Sequence, residues 1–446
     1  MPFWGVFCSI IRDMKKLNTS PISGMQELLP REQAVFNKFK DEIREVYRSH
    51  GFLEIETPTI DRAEILFAKA GGETEKQIYK VVKTEEASEG ADLALRFDHT
   101  VPLARYTAEH ESDLNFPFKV TQIGRNFRGD RAQKWRFREF YQCDVDILGR
   151  NELASEYDAE VILTLADALN RLGLPKRLVR VSNRKILAGF LEELNLQEVA
   201  GEIAGIIDHA EKVAPEKVRE WLDELAIGEE RVEDVLKFIE IAGTREEVVA
   251  KLTAFGFENE KFQEGVAELE KVLAILEGQN LDASVVADMK IVRGLDYYTG
   301  TVFETILPDY KQIGSVCSGG RYENLAEYYT DQKFPGVGGS IGLTRLFYIM
   351  KEYGLLNGVE TERKRYAIVP FGNTSEEVAF AHEVAAKFRG RGKDVDIVFM
   401  NKKLGDKIKY AGKTADYLVV VGENEVKTRA FKVKNLATGE EADSAV

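Results

Sequence analysis

Two apolar runs and the charged loop between them decide the fold of this sequence: FKVTQIGRNFRG (118–129), DRAQKWR (130–136) and FREFYQCDVDILG (137–149). Runs of this length and composition are typical of strands, and the polar connection indicates two antiparallel neighbours in one sheet. Asp144 and Asp146 lie inside the second run. A buried carboxylate is costly unless a partner satisfies it, so we expect both either to contact a ligand or to pair with nearby arginines.

Helical and strand patterns continue on both sides of this hairpin. Apolar spacing predicts helices over 31–50, 153–172 and about 338–352, and GFLEIETPTI (51–60) is typical of a strand that meets Pro58. Thr100 fits the N-cap of a helix with a proline, Pro102, in its first turn. Residues 195–284 are acidic and helical in period, which predicts a helical insertion.

The C-terminal part has a different pattern. Residues 366–436 alternate strand and helix, which indicates a separate small α/β domain with a partly parallel sheet. Between Lys387 and Lys413 the chain has nine basic and three acidic residues, a local charge of +6 in a chain of net charge -14. This stretch fits a solvated helix face or a surface for a polyanion.

Composition limits the class of protein. A chain of 446 residues exceeds the size of one hydrophobic core, so we expect two or three domains. No apolar run reaches the roughly 18 to 20 residues of a membrane span. Cys8, Cys143 and Cys317 form no CxxC pair, which argues against disulfides or structural zinc and predicts a cytoplasmic location. Residues 1–18 are interpreted as a disordered extension or a start placed too far upstream.

Phosphate-binding loops are missing from the sequence. It contains no GxxxxGK[ST], dinucleotide fingerprint, metal-ligand cluster or GxSxG motif, so any phosphate must be held by side chains. Guanidinium groups grip phosphate oxygens in bidentate geometry and stay charged. Arg128, Arg293 and Arg345 each stand at the end of a predicted element beside glycine or aromatic residues. Each arginine alone also fits an ordinary surface or ion-paired position.

Further polar residues could bind a small ligand. Groups suited to an ammonium or a carboxylate are Asp98, Thr100 and Gln142. Groups suited to hydrogen-bonding a ring are Asp146, Tyr297 and Tyr298.

Five segments in order resemble one family. GRNFRGDRAQKWRFREFYQ (124–142) and GVGGSIGLTRL (336–346) are similar to motifs 2 and 3 of class II aminoacyl-tRNA synthetases. VRGLDYYTGTVFE (292–304) and CSGGRYENL (317–325) resemble the two histidine signatures of histidyl-tRNA synthetases. SPISGMQELLP (20–30) starts the match, which spans nearly the whole chain.

The resemblance implies a fold and an activity. We expect an α+β fold with a class II catalytic domain (19–355) built on an antiparallel sheet flanked by helices, interrupted by the 195–284 insertion. An anticodon-binding α/β domain (364–446) would follow, shortened at its end. In the implied reaction, ATP activates histidine to histidyl-adenylate. The histidyl group is then transferred to the 3′ end of tRNA(His). Mg²⁺ would accompany ATP, and the strand at Pro58, which resembles motif 1, implies a homodimer.

The resemblance also implies residue roles. Arg293, Arg128 and Gln142 would be catalytic, with Arg293 stabilising charge at the α-phosphate. ATP would be bound by Arg128, Asp130, Arg136 and Arg345. Histidine would be bound by Asp98, Thr100, Gln142, Asp146, Tyr297, Tyr298 and Tyr322. The motif 2 loop and the basic stretch of the last domain would contact tRNA.

Four positions depart from the family pattern. Trp135 stands where glycine is usual in the motif 2 loop, Gly129 and Ala132 alter the same loop, and Thr344 replaces a glutamate before Arg345. A tryptophan there offers a ring for base stacking.

Two other functions compete with the enzyme. One is a non-catalytic paralogue that binds histidine and regulates an enzyme of histidine biosynthesis. The other is an inactive sensor of uncharged tRNA. Regulatory paralogues generally lack the anticodon domain and the catalytic arginine, so Arg293 and residues 366–446 favour the enzyme over that reading. A sensor would keep the tRNA surface but not the chemistry.

Overall fold

A computed structural model describes residues 17–68, 75–82, 92–131, 134–279, 281, 283–292, 297–323, 325–356, 359 and 364–445. The chain divides into two compact units, Met1–Asn357 and Gly358–Val446. Most of residues 1–18, together with Arg293 and Ala132, lie outside the described residues.

The first unit is built from helices and strands in mixed order. Its helices are α1 (Pro30–Ser49), α2 (Ala63–Phe67), α3 (Thr100–Glu109), α4 (Glu156–Arg171), α5 (Arg184–Glu193), α6 (Ala200–His209), α7 (Pro215–Glu224), α8 (Glu229–Ile239), α9 (Arg245–Thr253), α10 (Glu260–Glu277) and α11 (Leu343–Glu352). Its strands are β1 (Leu53–Glu54), β2 (Ile60–Arg62), β3 (Lys80–Val81), β4 (Leu93–Leu95), β5 (Phe118–Phe127), β6 (Glu139–Leu148), β7 (Leu178–Asn183), β8 (Ala242–Gly243), β9 (Ser284–Asp288), β10 (Thr301–Ile306), β11 (Cys317–Tyr322) and β12 (Gly336–Ile341).

A nine-stranded sheet with the order β1-β5-β6-β12-β11-β10-β7-β9-β8 forms the frame of this unit. Its central pairs are antiparallel, and the long β5–β6 hairpin runs from the Phe118–Leu148 pair to the Phe127–Glu139 pair. Helix α1 starts with Pro30 at its first position and buries its apolar stripe on the sheet. The predicted α+β fold and the antiparallel hairpin are confirmed.

Helices dominate the chain between α5 and β9. Helices α6 to α10 bury apolar residues on their inner faces, and only the two-residue strand β8 interrupts them. This is the region that we predict to be an insertion. The boundaries at 195 and 284, like the other domain limits drawn from the sequence, stay predictions.

Three local predictions are wrong. Residues 338–341 belong to strand β12, so the last helix begins at Leu343. GFLEIETPTI contains the short strand β1 and only the first residue of β2, with Pro58 in the loop between them. Thr100 is the first residue of α3 and caps nothing, because Asp98 Oδ1 accepts the free Val101 N–H at 3.1 Å instead.

The second unit is a five-stranded sheet with the order β14-β13-β15-β16-β17. Its strands are β13 (Arg365–Pro370), β14 (Asp394–Ile397), β15 (Tyr417–Val421), β16 (Ala430–Asn435) and β17 (Glu441–Ala445), and its helices are α12 (Ser375–Gly390), α13 (Leu404–Thr414) and α14 (Glu423–Thr428). The first three strands are parallel and the last two antiparallel. The predicted partly parallel α/β sheet is confirmed.

Candidate active site

An open cleft of about 480 Å³ lies where the β5–β6 loop faces the start of α11. Arg128 follows β5 directly, and Arg345 stands in the first turn of α11. Gln142 of β6 and Ser340 of β12 lie on the floor. Within the part of the chain that the structure describes, three arginines line this cleft, namely Arg128, Arg136 and Arg345.

A narrower cavity adjoins the cleft. Arg128, Gln142 and Ser340 line both spaces. The other side chains that line the cavity are Asp98, Thr100, Asp144, Asp146, Tyr298 and Tyr322. The antiparallel register puts Gly338 opposite Asp146, where a Cβ would lie 2.0 Å from Asp146 Oδ1, so only glycine fits there.

Three buried carboxylates, Asp98, Asp144 and Asp146, make the narrow cavity acidic. Burial raises the pKa of Asp98 to about 6, and its Oδ2 has no hydrogen-bond partner among the described residues. Burial also raises the pKa of Asp146 well above its usual range, although the Tyr322 hydroxyl donates to Oδ1 at 2.9 Å. An ammonium or a ring N–H placed here would relieve this cost.

Two arginines of the cleft, Arg128 and Arg345, donate to backbone carbonyls. Arg128 Nε donates to the Phe97 carbonyl at 3.1 Å, and its guanidinium lies 5.2 Å from the centre of the Phe140 ring. Arg345 donates to the Ile313 carbonyl, and burial lowers its pKa. Within the described residues, Arg345 Nε is buried without a partner. An anion in the cleft would supply that partner.

The remaining predicted residues occupy different positions. Asp130 lines the cleft but is ion-paired with Arg136, at 2.6 Å between Oδ2 and Nη2. Tyr297 packs edge-on against Tyr298 and Tyr322, with ring centres 5.1 and 5.9 Å away. Tyr297 therefore supports the two tyrosines that line the cavity.

Neither expected arginine pair of the β6 carboxylates exists among the described residues. Asp144 Oδ2 contacts His99 Nδ1 at 2.9 Å, and its Oδ1 accepts from the Ser340 hydroxyl. Asp146 is bound by Tyr322 instead. Neither His99 nor Ser340 is among the residues predicted from the sequence, because each contacts Asp144 from a distant part of the chain and no local pattern records such a contact.

Two departures from the family pattern have local explanations. Trp135 adopts a φ of 60°, a left-handed conformation that glycine adopts without strain. Its indole N–H donates to Glu352 Oε2 at 3.0 Å, which ties the loop to the end of α11. The Thr344 hydroxyl accepts from the Tyr141 N–H at 2.7 Å and joins α11 to β6.

The basic stretch of the second unit is less basic at its surface than predicted. Lys407 is 1% exposed, and its ammonium donates to the Pro370 carbonyl and to Asn373 Oδ1, both at 2.8 Å. It is therefore a structural residue. The other members are exposed apart from the half-buried Lys387, namely Arg389, Arg391, Lys393, Lys402, Lys403, Lys409 and Lys413.

An antiparallel sheet that presents arginines over a cleft beside an acidic cavity defines the class II aminoacyl-tRNA synthetase catalytic unit. The comparisons with known proteins narrow this class. A family model described as "Histidyl-tRNA synthetase" matches residues 24–346, and one described as "Anticodon binding domain" matches residues 366–446. The chain belongs to the histidyl-tRNA synthetase family.

Individual relatives agree with the family models. The chain is 46% identical to a histidine–tRNA ligase of Clostridium tetani over 431 residues, covering 96% of each chain. A solved histidyl-tRNA synthetase of Nostoc matches with a TM-score of 0.84 and 36% identity over 96% of this chain and 97% of that one. A Bacillus halodurans structure titled as an ATP phosphoribosyltransferase regulatory subunit/histidyl-tRNA synthetase shares the fold, with a TM-score of 0.74, 22% identity and coverage of 92% and 99%.

Proposed function

We propose that this chain is a ligase that activates histidine with ATP and transfers it to the 3′ end of tRNA(His). The observation that carries the proposal is a pair of buried polar atoms of opposite charge type in adjoining cavities, Asp98 Oδ2 and Arg345 Nε, neither of which has a partner among the described residues. The carboxylate oxygen suits an α-ammonium group, and the guanidinium nitrogen suits a phosphate oxygen.

Histidine would occupy the narrow cavity. Its α-ammonium would meet Asp98 and Thr100, and its carboxylate would meet Gln142. Asp146, Tyr298 and Tyr322 would pair with the imidazole nitrogens. A cavity whose polar groups are matched only by an imidazole penalises an amino acid that leaves them unpaired. This penalty would give the selection for histidine.

ATP would lie in the open cleft. A carboxylate oxygen of histidine attacks the α-phosphorus, the bond from that phosphorus to the bridging oxygen breaks, and pyrophosphate leaves. Arg128 would stabilise the charge that develops at the α-phosphate, and Arg345 would hold the triphosphate tail. Arg136, released from Asp130, would reach the phosphates or the tRNA acceptor end. For Arg293 the catalytic role rests on the family resemblance.

Mg²⁺ would enter as part of the MgATP substrate. This ion keeps several waters and prefers phosphate oxygens, so it needs few protein ligands. The described parts of the chain contain no group of three His, Cys, Asp or Glu placed to hold a metal. Pyrophosphate exchange measured against Mg²⁺ concentration would test the requirement.

The second unit would bind the anticodon stem of tRNA. Its exposed lysines and arginines between 389 and 413 suit phosphate contacts, and the match to an anticodon binding domain supports this. The Trp135 loop would contact the acceptor end. A homodimer, formed through the β1 and Pro58 region, is part of the proposal and is tested by sedimentation. None of the described helices is long and apolar enough to cross a bilayer.

Histidine-dependent exchange of pyrophosphate into ATP tests the activation step, and charging of tRNA(His) tests the transfer. Folded protein without exchange would contradict the enzyme and favour the regulatory paralogue or the tRNA sensor. Binding of tRNA without exchange would single out the sensor. Exchange without charging would direct attention to the motif 2 loop.

A further inference from the structure

A continuous chain of hydrogen bonds connects His99 to strands β6, β12 and β5 along the wall that the two cavities share. His99 Nδ1 contacts Asp144 Oδ2 at 2.9 Å, and the Ser340 hydroxyl contacts Asp144 Oδ1. Gln142 Nε2 lies 2.8 Å from Ser340 Oγ. The Gln142 Oε1 atom lies 2.7 Å from Asn126 Nδ2 and ends the chain.

The donors and acceptors of this hydrogen-bond chain can be arranged in only one order. A carboxylate accepts hydrogen bonds and does not donate them, so both His99 and Ser340 must donate to Asp144. A hydroxyl has one hydrogen, which Ser340 uses on Asp144. Ser340 Oγ can then only accept from Gln142, so the Gln142 amide must present its NH₂ group to Ser340 and its carbonyl oxygen to Asn126.

The amide orientation matters because of where Gln142 lies. Gln142 and Ser340 line both the narrow cavity and the open cleft. One hydrogen of the Gln142 NH₂ group is used on Ser340, and the second remains for a ligand at the junction. An amide turned by 180° would place its carbonyl oxygen against a ligand carboxylate, where two acceptors repel.

Packing holds the His99 side chain in the orientation that donates to Asp144. Its side chain is fully buried, and its carbonyl accepts from Gln122 Nε2 at 3.1 Å. A Cβ on Gly124 would lie 3.0 Å from His99 Nε2 and 2.5 Å from Arg96 Nη2, so a glycine is needed to admit both side chains. The imidazole therefore has no room to turn, and Nδ1 stays on Asp144.

We infer that His99 is a positioning residue that acts through Asp144 and Ser340 to hold the Gln142 amide with its N–H toward the substrate carboxylate. This inference rests on the proposed function. It assigns His99, Asp144 and Ser340 to the orientation of one reactive group, the attacking carboxylate. None of the three needs to touch ATP for this role.

The test compares variants that remove the donor with one that keeps it. His99→Leu removes the donor to Asp144, whereas His99→Asn places an amide N–H near the position of Nδ1. Ser340→Ala breaks the chain at its middle. We expect His99→Leu and Ser340→Ala each to lower kcat/KM for histidine in pyrophosphate exchange about 10- to 100-fold, the factor typical of one hydrogen bond to a charged group. The KM for ATP should change less than about twofold, and His99→Asn should recover most of the loss.

A double variant separates a chain from independent effects. If His99 acts through Ser340, His99→Leu with Ser340→Ala should be no worse than the more impaired single variant. Multiplying losses, an equal rise of the KM for ATP, or wild-type kinetics in both single variants would overturn the inference. His209→Leu is the matched surface control and should behave as wild type, because His209 lies on α6 with a half-exposed side chain.

Two safeguards keep the inference distinct from the proposed function. If His99→Leu does not fold, judged by thermal unfolding, Ser340→Ala and His99→Asn decide the question alone. If wild-type protein binds histidine by calorimetry without exchange, the proposed function fails and the same variants are judged on histidine affinity, where the loss should again be about 10- to 100-fold. A wild type that neither binds nor exchanges overturns both.

Discussion

Replacing Asp98 by asparagine should change the stability at pH 7 little but lower the activity. Burial raises the pKa of Asp98 from 3.8 to about 6, which corresponds to about 3 kcal/mol against the charged form at neutral pH. Asparagine removes this charge and can keep the acceptor for the Val101 N–H. It also buries an amide without a partner, at a cost of about 1–3 kcal/mol. The net change at pH 7 is therefore small.

The dependence on pH isolates the charge from the other contributions. A raised carboxyl pKa means that the folded protein holds the proton more tightly than the unfolded chain, so the native carboxyl loses stability as pH rises from about 4 to about 6 and beyond. At pH 5 about half of the full cost is present, and at pH 8 all of it. Asp98→Asn should therefore gain about 1.5 kcal/mol relative to wild type between pH 5 and pH 8.

Urea unfolding followed by tryptophan fluorescence measures this gain. All three tryptophans, Trp4, Trp135 and Trp221, precede the second unit, so the signal reports the catalytic unit. Asp113→Asn, the same substitution at an exposed carboxylate of the same unit, is the matched control. A flat difference for Asp98→Asn would refute the reasoning that Asp98 is a buried, uncompensated charge. The same variant should lose about 10- to 100-fold in kcat/KM for histidine, since the ammonium loses its charged partner.

Three further predictions concern the pH dependence of histidine binding, the Trp135 loop and the second unit. Histidine binding should weaken about tenfold per pH unit below about pH 6, because the ammonium group of histidine needs an ionised Asp98. A triazole analogue of histidine, whose ring stays neutral, removes the titration of the ligand itself. A Kd that does not change with pH would contradict the role of Asp98 in binding. Trp135→Gly should relieve about 1 kcal/mol of left-handed backbone strain, yet raise the KM for ATP severalfold because the hydrogen bond to Glu352 is lost. Unchanged kinetics of pyrophosphate exchange would exclude a role of Trp135 in the cleft. Lys407→Met should destabilise the second unit by about 1–3 kcal/mol but leave the tRNA affinity at low temperature unchanged, because Lys407 is buried and bonded to a backbone carbonyl. The exposed Lys402 gives the opposite result: Lys402→Met should leave stability unchanged and reduce the salt dependence of tRNA binding.

Elements whose signal is local were predictable from the sequence. Helix α1 and the β5–β6 hairpin follow from apolar period and a polar loop, and both agree with the structure within a few residues. The predicted start of the last helix at about 338 is wrong because residues 338–341 belong to strand β12, whose sequence GVGGSI has three glycines and no strand-like alternation. Its glycines are needed by neighbours distant in sequence, as Gly338 is by Asp146, and a pattern along the chain does not record them.

The partners of buried charges were not predictable, and they are what distinguishes the candidate site from the rest of the unit. Arg321, inside the CSGGRYENL segment, is paired with Asp158 at 2.7 Å, and Arg180 is paired with Asp288 at the same distance. Such pairs offset the cost of burying each charge. Asp98 is also buried and Arg345 is half-buried, yet each keeps a buried atom without a partner among the described residues. The residue types are the same in both cases. Only the fold separates charges that stabilise the protein from charges left for a substrate, which is why the arginines of this sequence, taken one at a time, predict so little.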